Sequence, residues 1–150
     1  MVIEKAVLDD IPEILELQKL AYISEAEIYH DFSIPPLLQT LEEIKEDFHH
    51  QKFLKVIFNN MIIGSVRAYQ EGETCFIGRL IVHPDYQNKG LGTRLMKAVE
   101  KTFNHVKRYE LFTGHKSEKN IYLYKKLGYE KCKMEALNEK VKLIFLEKTK

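Results

Sequence analysis

The chain has 150 residues, of which 45% are hydrophobic and 30% are charged, and its net charge is +1 at pH 7. This length is enough for a hydrophobic core of its own, so we predict a single domain over residues 1–150. The small net charge gives no broad field that would attract nucleic acid, and no apolar run is long enough to span a membrane.

The cysteines and the amino terminus both indicate a cytoplasmic protein. Cys75 and Cys132 lie among apolar residues without a CxxC spacing, which is typical of reduced thiols rather than of a disulfide framework. The opening sequence MVIEKAVLDD has no apolar stretch followed by a cleavage site, so it does not predict a secretory leader.

The first third of the chain predicts a strand followed by two helices. Val2–Val7 alternates loosely between apolar and polar residues, as a strand does. Asp10 and Glu13 match a capping box with proline in the first turn, which predicts a helix. Glu25–Pro36 is irregular, and its double proline predicts an extended loop. A second capping box begins at Thr40 and predicts the next helix.

From residue 53 onward the apolar period changes to two. This period predicts strands over Phe53–Phe58, Ile62–Tyr69 and Thr74–Val82. Short polar turns separate them, so we expect antiparallel hairpins. Pro84 prevents the third strand from continuing.

A glycine-bearing turn joins this third strand to a helix that runs to about Asn104. The first amides of a helix lack internal partners and lie at the positive end of its dipole, and glycines let a ligand approach the backbone. The turn therefore predicts a phosphate cradle. Its residues are Gln87, Asn88, Lys89, Gly90, Leu91, Gly92 and Thr93. The helix that follows has its apolar positions on one face: Leu91, Leu95, Met96, Val99 and Phe103.

Two common phosphate-binding loops do not fit this turn. The dinucleotide fingerprint needs a third glycine at the position of Leu95, and the Walker A loop needs Gly-Lys followed by Ser or Thr, which the chain lacks. What remains is the pattern Gln87-x-x-Gly90-x-Gly92 between a strand and a helix.

The last third predicts a strand over Arg108–Thr113 and a helix from Ser117 to Leu127, with Gly128 as its left-handed end. Two final strands follow over Tyr129–Met134 and Val141–Leu146. The order of elements predicts an α/β (α+β) fold, with a mixed, mostly antiparallel central sheet and helices on both faces.

Two motifs resemble those of the GNAT N-acetyltransferase superfamily. The turn resembles its acetyl-CoA-binding motif, Arg/Gln-x-x-Gly-x-Gly/Ala, and the sequence NIYLYKKLGY at Asn120–Tyr129 resembles its distal motif. The order of elements also matches the family's fold, so the resemblance covers essentially the whole chain. It implies an enzyme that moves the acetyl group of acetyl-CoA directly to a primary amine of a small molecule, peptide or protein.

The resemblance also implies how the donor is held. Pantetheine would lie beside the strand that ends at Val82, and the amides of the turn would bind the pyrophosphate. The implied coenzyme-binding residues are Leu80, Ile81, Val82, Gln87, Asn88, Lys89, Gly90, Leu91, Gly92, Thr93 and Asn120. In much of the family the asparagine precedes the tyrosine by six residues, whereas Asn120 precedes Tyr124 by four. Asn120 is therefore either a coenzyme contact or a first-turn helix residue.

Tyr124 matches the family's general acid for the departing thiolate. A thiol with a pKa of about 8.5 leaves more easily when a phenol with a pKa of about 10 donates to it. Tyr122 lies on a different helix face, so only one of the two can point at the coenzyme.

No motif fixes the base that deprotonates the amine. The open candidates are Glu27, Tyr29, His30, Asp31, Glu73, His83 and a chain of waters. We expect no metal site, since the adjacent His49 and His50 cannot chelate from one helix face and His105 and His115 add no ligand spacing. We also expect no acetyl-enzyme, since Cys75 has no partner histidine. The expected partners are the amine acceptor and, by resemblance, a second copy of the chain. The alternative to an enzyme is a non-catalytic acyl-CoA-binding regulatory module.

Overall fold

The computed structural model of the protein describes residues 1–150, whose strands form one sheet in the order β1-β2-β3-β4-β5-β7-β6. The strands are β1 (Val2–Lys5), β2 (Lys52–Phe58), β3 (Met61–Glu71), β4 (Thr74–Val82), β5 (Arg108–Gly114), β6 (Glu130–Ala136) and β7 (Lys142–Thr149). The helices are α1 (Ile11–Tyr29), α2 (Pro35–Leu38), α3 (Leu41–His50), α4 (Leu91–Thr102) and α5 (Glu118–Lys126). Only β4 and β5 pair in parallel, so the predicted mixed, mostly antiparallel sheet is confirmed.

Helices cover both faces of this sheet, as the sequence predicts. Ile62 and Ile63 are neighbours on β3, so their side chains point to opposite faces. Ile62 packs in a cluster with the apolar faces of α1 and α3. Ile63 packs in a larger cluster with α4 and α5, which includes all five apolar positions predicted for α4. The 3.6-residue periodicity of α4 is therefore explained by burial of a single face.

An extra residue in β4 reverses the alternation of its side chains. Cys75 and Ile77 pack in the cluster beneath α4, whereas Ile81 has the same parity and packs beneath α1. Between them, Arg79 adopts a left-handed φ of 50°, and the register with β3 shifts. Such a bulge bends a strand. Beyond Phe76, β4 no longer pairs with β5, and a cleft opens between the two strands.

The predicted extended loop over Glu25–Pro36 is wrong. Helix α1 continues to Tyr29 and ends at His30, which has a left-handed φ of 51°. The double proline begins the short helix α2 rather than excluding helix. Both prolines occupy the first turn, where an amide has no intrahelical acceptor and its loss costs nothing.

The predicted caps have mixed outcomes. The capping box at Thr40 is confirmed, since its Oγ1 accepts from the Glu43 amide at 3.2 Å. The capping box at Asp10 is wrong, because a 3-10 turn over residues 8–10 already places Asp10 in helical geometry and its carboxylate accepts from Lys55 Nζ (2.6 Å). Ser117 precedes α5 without capping it through its side chain.

The surroundings of the two cysteines differ. Both thiols are free, and Cys75 is buried as expected. Cys132 is exposed, because it lies on the edge strand β6, every residue of which is exposed. The expected apolar surroundings of Cys132 are therefore wrong. None of the five helices combines the length and the apolar character needed to cross a membrane.

Candidate active site

The cleft between β4 and β5 encloses a cavity of about 190 Å³. Six parts of the chain line it: the carboxyl-terminal half of α1, the start of α2, the two diverging strands β4 and β5, α5, and the segment around β7. Side chains from these parts that bear on chemistry are Tyr22, Glu25, Tyr29, Arg79, Thr113, Asn120 and Tyr124.

Tyr124 lies in this cavity, on α5. Its side chain is only 6% exposed, and its phenol makes no hydrogen bond to another protein group. Burial raises the pKa of Tyr124, and the nearby Tyr22 and Glu25 raise it further. Tyr122 is 70% exposed, since two helical residues are separated by about 200°. The phenol of Tyr124 is therefore a protonated donor facing the cleft.

Glu25, on α1, lines the same cavity, and its carboxylate is held by two donors. Its Oε2 accepts from Ser117 Oγ at 2.5 Å and its Oε1 accepts from Asn120 Nδ2 at 3.2 Å. The Tyr29 hydroxyl lies 2.8 Å from Ser117 Oγ and accepts from the Lys116 amide. These bonds tie the end of α1 to the start of α5 and fix the carboxylate of Glu25 in the cleft.

Two arginines lie on the sheet beside this cleft. Arg67 is buried, and its guanidinium donates to Gln18 Oε1 (2.5 Å) and Asp47 Oδ2 (3.0 Å). Burial and the neighbouring charge of Arg79 lower the pKa of Arg67 to about 10, against the opposing effect of Asp47. Arg79 lines the cavity, and its buried Nε has no acceptor in the protein.

The backbone of Val82 faces the open side of β4. The His83 amide donates to the Ile63 carbonyl (2.8 Å), so these two residues are a hydrogen-bonded pair of the ladder. The next pair, Gly64 and Val82, is then a non-hydrogen-bonded one. The amide and carbonyl of Val82 therefore point away from β3, toward the gap left by β5. Among protein donors, only the Gln87 amide group reaches that carbonyl, at 3.4 Å.

The predicted cradle follows β4 after a 3-10 turn over Pro84–Tyr86. Gly90 begins α4 with a left-handed φ of 78° and has no side chain to cap the helix. The amides of Leu91, Gly92 and Thr93 have no intrahelical acceptor at this end. A Cβ at Gly92 would lie 3.2 Å from the Leu123 side chain, so the backbone here packs closely against α5. These residues fit an anion at a helix amino terminus.

The remaining predicted coenzyme-binding residues differ in how exposed their side chains are. Leu80 lines the cavity, whereas the side chains of Ile81 and Leu91 are buried in the core and can offer only backbone groups. Asn88 and Lys89 are exposed on the turn. Asn120 lies in the first turn of α5 and donates to Glu25 and to Thr113, and its contact with a coenzyme stays a prediction.

Of the candidate bases, only Tyr29 lines the cleft. Glu27 and His30 are exposed, and Glu73 pairs with Lys107 at 3.1 Å. His83 Nδ1 accepts from the Asp85 amide, and Asp31 accepts from Ser33. No group of three His, Cys, Asp or Glu side chains could hold a metal ion.

Tyr22, Glu25 and Arg79 line the cleft but are not among the catalytic or coenzyme-binding residues that the sequence predicts. Tyr22, Glu25 and Tyr29 follow the i, i+3, i+7 spacing of one helical face, which was a usable signal. An expected loop from Glu25 onward hides this face, because it leaves only Tyr22 of the three residues in the helix. Arg79 had no comparable signal, since only its bulge brings it to the cleft.

The chain is similar in sequence to known proteins. The model of the acetyltransferase (GNAT) family matches residues 11–129. The chain is 31% identical over 120 residues to the UPF0157 protein YqkA of Bacillus subtilis, a match that covers 80% of this chain. The matched part of this chain spans only about a third (34%) of the length of that relative.

Solved structures share the fold. The ribosomal-protein-S18-alanine N-acetyltransferase of Escherichia coli superposes with a TM-score of 0.82 at 15% identity, covering 99% of this chain and 92% of the other. The yncA protein of Salmonella typhimurium, solved with its cofactor acetyl-CoA, has a TM-score of 0.78 at 16% identity, covering 99% and 93%.

Proposed function

The chain belongs to the GNAT family of acetyltransferases, and we propose that it is an N-acetyltransferase that moves the acetyl group of acetyl-CoA directly to a primary amine. The observation that supports this most is Tyr124, whose ring is buried while its hydroxyl makes no hydrogen bond within the protein and lies at the cleft. The hydroxyl is therefore free to donate to a ligand in the cleft.

The residues at the cleft fit the coenzyme. Val82 offers an amide and a carbonyl to an extended chain lying along β4, as a further strand would. The amides of Gly92 and Thr93 offer donors to a pyrophosphate. Acetyl-CoA, when bound, supplies an acetyl thioester whose C–S bond breaks as the N–C bond to the amine forms.

Glu25 is our candidate for the general base. An amine arrives mostly as ammonium and must lose a proton before it attacks. Glu25 is the one carboxylate lining the cavity that holds Tyr124, and its two hydrogen bonds fix its position. It would take the first proton of the ammonium.

Tyr124 would act on the leaving sulfur. Its raised pKa keeps the phenol protonated, so it can donate a hydrogen bond as negative charge develops. Tyr124 would hand its proton to the thiolate and recover one from the newly acylated nitrogen. Proton and charge balance are then complete, because the ammonium releases two protons, one to Glu25 and one to the phenolate.

Two measurements test the proposed function. Acetyl-CoA should raise the melting temperature, since a ligand that binds only the folded state stabilises it. Free thiol should then be released only when an amine is added. Absence of any melting shift at millimolar acetyl-CoA would overturn the proposal. A shift without thiol release from any amine would instead identify a non-catalytic acyl-CoA-binding module.

A further inference from the structure

The acceptor side of the cleft holds an arginine that the protein does not neutralise. Arg79 is in none of the ion pairs of the chain. Its Nε is buried without an acceptor, although the guanidinium lines the cavity beside Tyr22. A buried donor without a partner costs free energy, so a ligand that supplies the acceptor recovers that cost on binding.

The neighbouring arginine makes the excess of positive charge larger. Arg67 is 4% exposed and already has its partners, Gln18 and Asp47, and it lies over the Phe53 ring at 4.5 Å. The charge of Arg79 acts unfavourably on Arg67. Asp47 is the one carboxylate in ion-pair contact with either guanidinium, and it pairs with Arg67 alone. An anion beside Arg79 would relieve this repulsion.

The anion that fits here is not a phosphate of the coenzyme. The cradle residues 87–93 are absent from the lining of the cavity, whereas Arg79 lines it together with α1 and α2. The volume of about 190 Å³ is below the roughly 300–1,000 Å³ of sites for drug-sized ligands, so the occupant is small. A guanidinium presents a planar fork of donors that matches a carboxylate.

The same cavity offers an opposite charge for the other end of the ligand. Glu25 lines it as well, and Tyr22 lies close enough to feel the charges of both Glu25 and Arg79. On the basis of the proposed function, we propose that the acceptor is a small amino acid, whose ammonium approaches Glu25 while its carboxylate binds Arg79.

A binding experiment tests the carboxylate without relying on turnover. The CoA-saturated protein is melted in the presence of each proteinogenic L-amino acid, its carboxamide and its decarboxylated amine. At least one amino acid should raise the melting temperature, and its two analogues without a carboxylate should not. Equal shifts from all three forms, or no shift from any amino acid, would overturn the inference.

Variants assign this effect to Arg79. Arg79→Gln should weaken amino-acid binding by roughly ten- to a hundredfold, because the charge-assisted bonds are lost. Arg79→Lys should retain part of the affinity, since it keeps the charge and loses the fork. Lys19→Gln, an exposed change on α1, is the charge-matched control and should bind normally. Normal binding by Arg79→Gln would contradict the assignment, and the melting temperatures of the unliganded variants report on folding.

Thiol release separates this inference from the proposed function. If thiol is released with amino acids but not with their carboxamides, both the proposed function and the amino-acid acceptor are supported. If thiol is released only with amines that lack a carboxylate, the protein is an acetyltransferase but its acceptor is not an amino acid. If amino acids bind in a way that depends on Arg79 and no thiol is released, Arg79 recognises the carboxylate but the proposed acetyl transfer is wrong.

Discussion

Tyr124 and Tyr122 lie two residues apart on α5 and therefore point to different sides of the helix. The two phenols are chemically identical, but one is buried in the cleft and the other is exposed to solvent. We predict that Tyr124→Phe lowers kcat by roughly a hundredfold or more and leaves the affinity for acetyl-CoA unchanged, because only the proton donor is lost. Tyr122→Phe is the matched control and should behave as wild type. An unchanged kcat in Tyr124→Phe would exclude the role.

The pH profile gives an independent check of Tyr124. The donor function of a phenol is lost as pH rises through its pKa, and burial raises that pKa above its ordinary value of 10.0. The rate at saturating substrates should therefore not decline through a phenol titration below about pH 10.

Glu25 makes a second prediction at the scale of single residues. Glu25→Gln keeps the size of the side chain but cannot accept a proton, so kcat/KM should fall by about 10²–10⁴. Glu27→Gln, an exposed change on the same helix, should retain full activity. The melting temperature and the affinity for acetyl-CoA of Glu25→Gln should stay near those of wild type. Wild-type kcat/KM in Glu25→Gln would assign the base to another group.

Among the structural elements, the start of α4 is packed so closely that position 92 has little room for a side chain. A Cβ at Gly92 would approach Leu123 to 3.2 Å, and the branches of a larger residue would cover the amides of the turn. We predict that Gly92→Val weakens acetyl-CoA binding roughly tenfold or more, measured by calorimetry. Lys101→Val places the same residue on the exposed face of this helix and should bind normally. Equal affinities in the two variants would argue against the cradle.

The junction of α1 with β2 is held by Asp10. Burial alone would raise its pKa, but the hydrogen bonds from Lys55 and from the Val7 amide more than offset this, and the pKa is lowered. A lowered pKa contributes stability above the unfolded value of about 3.9, and this contribution is lost as pH falls through the folded pKa. Asp10→Asn should lower the free energy of unfolding by about 1.5–3 kcal/mol at pH 7.

Chemical denaturation at two pH values measures this contribution. The difference between wild type and Asp10→Asn should shrink as pH falls below the ordinary pKa of the carboxyl and then through its lowered folded-state pKa, because the carboxyl is then protonated in both states. Asp9→Asn is the exposed neighbour and should change stability by less than about 0.5 kcal/mol. If Asp10→Asn is as stable as Asp9→Asn at pH 7, the partly buried pair with Lys55 contributes nothing to stability.

For the whole molecule, the two cores share their strands. Val56 packs under α4 while Phe53, on the same strand, packs under α1, and Ile62 and Ile63 divide in the same way. Because both clusters are built on the same strands, the packing on one face of the sheet cannot be lost while the packing on the other stays intact. Residues 1–150 should therefore unfold in one cooperative transition. Near-ultraviolet and far-ultraviolet circular dichroism should give the same midpoint. Two separate midpoints would show that the faces are independent units.

Much of this architecture was predictable from local pattern. The period of two marked the central strands, the period of 3.6 marked the buried face of α4, and the glycine turn marked the cradle. Each of these signals comes from neighbours in the sequence. The double proline misled because proline excludes helix only beyond the first turn.

The sequence by itself determined the order of the elements, the proposed coenzyme turn and the choice of Tyr124 as the proposed acid, since each is specified by residues close together in the chain. Only the tertiary structure decided which residues form the proposed acceptor side of the cleft. The bulge at Arg79 depends on the register between β3 and β4, and the contacts of Glu25 join residues more than ninety positions apart. Pairing over such distances is set by the packing of the whole sheet, which no local pattern contains.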